Sequence, residues 1–254
     1  MSAWILLRGL TRESRHWGKF PAALQAAMPG SRVLRIDLPG NGTLSHARAP
    51  STVAAMVDAV RRAASQRGER GPYRVVAMSL GGMVATAWAQ RYPAELAQLV
   101  LINTSMRPFS SAVERLRPGA WPGLLDIARH WRDDDENAAA AEATIHRLTC
   151  NARDTLTADL ALWREIRRSA PVTRANALRQ LWAAACFRAA SGAPSCASLV
   201  LSSRADRLVN PRCSAALAAA WKVPLREHPW AGHDLPHDDP SWTAETIRAM
   251  CDCT

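Results

Sequence analysis

The stretch Val75-Val76-Ala77-Met78-Ser79-Leu80-Gly81-Gly82 decides how this chain is read. The run Tyr73 to Ala77 reads as a buried strand, and a helix-like segment from Gly81 to Tyr92 follows at once. A serine on so sharp a strand-to-helix turn has its hydroxyl exposed and aimed. The turn strains the backbone at the serine and demands small residues two positions to either side. Ala77 and Gly81 meet that demand and Gly82 gives further room; Ala77 is the departure from G-x-S-x-G. Ser79 also fits a helix N-cap in a dinucleotide-binding fold. That reading requires a glycine-rich phosphate loop after the first strand, which Arg8-Gly9-Leu10-Thr11 does not supply.

Working outward, Trp4 to Leu7 reads as a first strand, Val33 to Asp37 as a second and Leu99 to Asn103 as a fourth. Ser51 caps a helix whose apolar positions Val53, Met56, Val57 and Val60 share a face. Strands alternating with helices imply a parallel sheet covered on both faces. The alternation stops from about residue 107 to 190, where the chain is rich in Ala, Leu and Arg with helical periodicity. In that segment Leu178, Leu181, Trp182 and Ala185 share one helical face, and Leu156, Leu160, Trp163 and Ile166 another. Strands resume at Ser198 to Ser202 and Leu225 to His228, with helices near Ser214 to Trp221 and after Pro240. The expected organisation is one α/β core, residues 1–106 and 191–254, carrying a helical insertion at 107–190.

The bulk composition is that of an ordinary globular protein, 48% hydrophobic and 21% charged, and no apolar run is long enough to cross a bilayer. The N-terminal MSAWILLRGLTRES has too short an apolar stretch for a signal peptide, so the expected location is the cytoplasm. Six cysteines in such a setting are expected to be reduced, and the Cys251-x-Cys253 pair lacks a partner pair for a metal. The formal charge of +10 is nearly all arginine and is dispersed along the chain without interleaved aromatics, which argues against nucleic-acid binding. Asp133 to Glu136 reads as a solvated acidic loop.

A nucleophilic serine needs a base and an acid that orients it. His233, in Trp230-Ala231-Gly232-His233-Asp234-Leu235-Pro236, follows the last strand, where a parallel sheet gathers its functional groups. His130, His146, His228 and the remaining histidines read as structural or surface residues. Pro236 keeps His233 and His237 off a common helical face, so no metal site is expected there. Asp206 follows the strand ending near Ser202 and completes the order Ser79, Asp206, His233. The rival acid position after the fourth strand carries Asn103, which offers no carboxylate. The N–H of Leu80, and that of Leu10 in the loop after the first strand, are the expected oxyanion donors.

With these residues assembled, the chain resembles the α/β-hydrolase superfamily nearly end to end, and most of all its small bacterial esterases with a helical cap. The resemblance rests on Arg8-Gly9-Leu10, Asp37-Leu38-Pro39-Gly40-Asn41-Gly42, Ser79-Leu80-Gly81-Gly82-Met83, Asp206-Arg207-Leu208-Val209 and Ala231-Gly232-His233-Asp234. It implies a serine carboxylesterase acting on short- to medium-chain acyl esters of small molecules, without metal or other cofactor, and a cap over the active site. Esterases of carrier-protein-linked acyl groups, with an acyl carrier protein as partner, and thioesterases share the pattern. So do slow or non-catalytic ligand-binding members of the fold. Arg8 stands where the superfamily usually has histidine, either as a structural residue or facing an acidic substrate. The antiparallel strands that often precede the first one are not seen, so a sheet of roughly six strands is expected. Trp121, Trp131, Trp163 and Trp182 either line an acyl pocket or pack in the cap's core.

Overall fold

The computed structural model describes residues 3–68, 70–131 and 135–252. Six strands form one sheet: β1 (Ala3–Leu7), β2 (Arg32–Ile36), β3 (Tyr73–Met78), β4 (Leu96–Ile102), β5 (Ala197–Ser203) and β6 (Leu225–His228). Their order is β2-β1-β3-β4-β5-β6 and every pairing is parallel. The four inner strands are apolar almost throughout because helices cover both faces, whereas the edge strands β2 and β6 carry exposed arginines.

Alternation along the strands builds two cores. Ile5 and Leu7 of β1 point to the face covered by α2 (Val53–Gln66), α3 (Leu80–Arg91) and α9 (Arg212–Trp221). Trp4 and Leu6 point to the other face, covered by α1 (Phe20–Ala27) and α11 (Pro240–Cys251), which pack on each other. Thr52, one residue after the expected cap, closes the start of α2 by accepting from Ala55 N–H.

Between β4 and β5 the chain runs through α4 (Ala112–Arg115), α5 (Trp121–Arg129), α6 (Asp135–Thr149), α7 (Leu156–Ser169) and α8 (Arg174–Cys186). A short helix α10 (Leu235–Asp238) precedes α11. Helices α5, α6 and α7 share a small core of Ile127, Ile145, Cys150, Trp163 and Ile166. Helix α8 departs from its sequence pattern: Leu178 and Trp182 are 66% and 64% exposed, and its buried residues are Asn176, Gln180 and Ala183. The cause is polar. Asn176 accepts from Ala49 N–H and donates to Ala47 O; Gln180 accepts from Thr11 N–H and donates to Asn41 Oδ1. Among the described residues no helix is long and apolar enough to cross a membrane. Cys253 lies outside the described residues, as do Asp133 and Asp134 of the expected acidic loop, whereas Asp135 and Glu136 begin α6 instead.

Candidate active site

Ser79 occupies the turn between β3 and α3 with φ +52° and ψ −120°, a conformation that costs an L-residue on the order of 1–3 kcal/mol and persists only where its surroundings enforce it. They do so from three sides. Ser79 N–H donates to Ile102 O at 3.1 Å, and its carbonyl accepts from Gly82 N–H at 3.0 Å and from Thr104 Oγ1 at 2.8 Å. Gly81 is required by close approach, since a Cβ there would lie 2.4 Å from Leu7 O. Gly9 sits against the serine itself, a Cβ there falling 3.0 Å from Ser79 Cβ.

His233 and Asp206 come from separate loops beyond β6 and β5 and meet as a buried pair. The His233 Nδ1–H donates to Asp206 Oδ2 at 2.7 Å. The other carboxylate oxygen, Oδ1, accepts from the N–H groups of Leu208 and Val209 at 2.8 and 2.9 Å, so the acid is fixed before it orients the imidazole. Burial pulls the His233 pKa down, but the charge and hydrogen bond of Asp206, aided by Asp234, outweigh it and raise it above the ordinary imidazole value. Ser79 and His233 line one cavity of about 190 Å³.

Most of the remaining lining is apolar, with Leu124 and Ile127 of α5, Ile145 and Leu148 of α6, and Leu178 and Leu181 of α8, while Arg8, Thr11, Arg12, Thr149 and Asp234 are its polar members. Leu10, Trp131 and Leu208 also line it. Of the four tryptophans in the inter-strand helices, Trp131 faces the cavity, Trp163 is buried, and Trp121 and Trp182 are exposed.

Three residues hold the frame: Arg8, which the sequence left between a structural role and an acidic substrate, and Asn103 and Asp238, to which it gave none. Arg8 donates from both Nη atoms to Asp234 at 2.9 and 2.5 Å, and its guanidinium lies 4.9 Å over the Trp17 ring. Its partner is therefore an internal carboxylate. Asn103, at φ +45°, donates through Nδ2 to Ser203 Oγ and to the carbonyls of Gly232 and His233, and accepts from Ser203 N–H. It lacks the carboxylate sought at that position and instead ties β4, β5 and the His233 loop together. Asp238 accepts from Gly232 N–H at 2.7 Å and from the amides of Asn151 and Ala152, joining the end of α6 to the same loop. An asparagine at a strand end, where left-handed φ is tolerated, is the only sequence signal that points to Asn103.

Parallel sheet, strained serine turn and helices after β4 define an α/β-hydrolase architecture. The alpha/beta hydrolase family model matches residues 4–246, and the chain belongs to that family. A thermophilic esterase from Thermogutta terrifontis is similar in structure, with TM-score 0.74 and 23% identity, covering 100% of this chain and 90% of that one. A meta-cleavage product hydrolase from Pseudomonas fluorescens IP01 has TM-score 0.76 at 18% identity, covering 99% and 91%. A hydrolase from Pseudomonas aeruginosa PA01 has TM-score 0.74 at 19% identity, covering 98% and 89%. In sequence, an uncharacterized protein of Schizosaccharomyces pombe is 32% identical over 75 residues, which span 30% of this chain and 14% of that protein.

Proposed function

We propose that the protein is a serine hydrolase that cleaves short- to medium-chain carboxylic esters through an acyl-enzyme on Ser79. The observation that carries this is a serine at φ +52° sharing an apolar cavity with His233, whose Nδ1 is held 2.7 Å from Asp206. His233 Nε2 takes the Ser79 proton as Oγ attacks the ester carbonyl, and Asp206 stabilises the imidazolium that forms. The amides of Leu80 and Leu10 serve the oxyanion. His233 then protonates the leaving alcohol and later activates water against the acyl-enzyme.

Residues 107–190 act in this reading as a cap, and their apolar side chains take the acyl chain. Leu178 and Leu181 line the cavity while remaining 66% and 46% exposed, so the apolar wall runs out to the surface. The cavity volume of about 190 Å³ suits a modest acyl group.

Hydrolysis of a p-nitrophenyl ester series from acetate to palmitate, with wild type beside Ser79→Ala, tests the proposal. Wild type is expected to prefer short and medium chains, and the variant to lose roughly a thousandfold or more. Equal turnover by both would remove Ser79 from the mechanism.

A further inference from the structure

A second constellation lies behind α6, away from the cavity lining. His146 and Cys150 are fully buried, one on the last turn of α6 and the other just past its end, four residues apart and so on one side of the chain. His237 reaches them from α10. A ring nitrogen of each histidine and the Cys150 Sγ lie within 4.8 Å of one another. Asp159 of α7 lies beside them, its Oδ2 accepting from His146 Nε2 at 3.3 Å, from His237 Nε2 at 3.0 Å and from Thr155 Oγ1 at 2.7 Å. Trp163 closes the group, its ring centroid 5.2 Å from His146 and 5.5 Å from His237.

Two imidazoles donating to one carboxylate account for the Nε2 atoms and for Asp159. They do not account for the rest. His146 Nδ1, buried, has no hydrogen-bond partner among the described residues, and a lone pair left so costs on the order of 1–3 kcal/mol. Among the described residues the one polar contact of the Cys150 thiol is with the neighbouring Thr149 hydroxyl, at 3.6 Å. Histidines that bind metals commonly give their second ring N–H to a carboxylate, which fixes the tautomer; Asp159 already holds His146 in that way.

We infer that His146, Cys150 and His237 form a binding site for one divalent transition-metal ion of the zinc class, with Asp159 orienting the imidazoles. Two imidazoles and a thiolate are a borderline-soft donor set that suits zinc and, as a spectroscopic substitute, cobalt. Metal–ligand bonds of about 2.0–2.3 Å need donor atoms roughly 3–4 Å apart, so a separation at the 4.8 Å limit closes by about 1–2 Å. Binding replaces the Cys150 S–H bond by a sulfur–metal bond and releases that proton to solvent. Asp159 and Asp238 bring negative charge to the site; Asp234 also lies near but is paired with Arg8, and Arg12 and Arg153 oppose a cation.

The ion would join two parts of the molecule. His146 and Cys150 belong to the helices between β4 and β5, whereas His237 lies four residues beyond His233. Metal binding is therefore expected to fasten the inter-strand helices to the loop that carries His233, whether or not the protein is an esterase.

The test is a titration of the chelator-treated full chain with Co²⁺. Wild type is expected to develop a thiolate-to-cobalt charge-transfer band and intense visible bands of tetrahedral cobalt, saturating at one equivalent and lost on adding Zn²⁺. Zn²⁺ is expected to raise the Tm of wild type in the same range. Cys150→Ser should abolish the charge-transfer band, and Cys196→Ser should keep it. No thiolate band and no rise in Tm with wild type overturns the inference without relying on any variant. A band that survives in Cys150→Ser overturns it equally, because another cysteine then binds the ion.

Discussion

Arg8 and Asp234 are joined by two parallel hydrogen bonds, buried, across 226 positions of sequence. The pair links the loop after β1, which carries Gly9 and Leu10, to the residue that follows His233. It holds the two walls of the cavity at a fixed separation.

Breaking that pair should be costly. Arg8→Met leaves a buried carboxylate alone, and about 3–5 kcal/mol of stability should be lost in denaturant unfolding. Burial raises the Asp234 pKa, yet the charge and hydrogen bonds of Arg8 bring it to a net value below the ordinary carboxyl. A lowered folded pKa means that the group's contribution is present above its unfolded pKa and fades as pH falls through the folded value. Acid unfolding of wild type should therefore set in below the ordinary carboxyl range, and Arg8→Met should unfold at higher pH. Arg8→Lys, which cannot fork onto both oxygens, should fall between the two.

The raised pKa of His233 predicts the pH–rate profile. On the proposed mechanism His233 must be neutral to act as base, so kcat/KM should fall on acidification, with a midpoint above the ordinary imidazole value of 6.5. Asp206→Asn removes the largest cause that raises the pKa. Its residual activity should carry an acid limb at lower pH, and an unshifted limb would assign the titration to another group.

Gln180 ties α8 to the loop after β1. Gln180→Ala strips Thr11 N–H of its acceptor and Asn41 Oδ1 of its donor, with an expected cost of about 1–3 kcal/mol. Because Thr11 adjoins Leu10, kcat should drop more than KM rises. A loss of stability with unchanged kcat would make Gln180 a purely structural suture.

Steric predictions separate two glycines. Gly81→Ala drives a methyl into Leu7 O and Arg8 O, at 2.4 and 2.6 Å, and should lower stability by about 1–3 kcal/mol or more. Gly119→Ala meets open space and should leave the free energy of unfolding within about 0.5 kcal/mol of wild type.

Asn103→Asp is the informative exchange at the end of β4. A carboxylate oxygen in place of Nδ2 would face the carbonyls of Gly232 and His233. Ester hydrolysis should fall together with stability, and Asn103→Asp should be worse than Asn103→Ala because repulsion is added to lost bonds.

The strands and the turn at Ser79 were legible in the chain because each is a local matter, and the parallel pairing followed from the alternation of strands with helices. Apolar runs of strand length, small residues around one serine and loops at strand ends carry their own physical signature. The inner strands sit where the apolar runs lie, with β4 beginning at Leu96, earlier than the run from Leu99 suggests. Other features depended on tertiary structure. The leucine face of α8 is exposed and its Asn176–Gln180 face buried, because backbone groups at Thr11, Ala47 and Ala49 needed partners that leucine cannot supply. Arg8 found Asp234, and Asn103 found the His233 loop, across more than a hundred residues. His237 met His146 and Cys150 across roughly ninety. Periodicity reports what a segment buries on its own; which polar atoms end up facing one another is decided only when the helices between β4 and β5 settle onto the sheet.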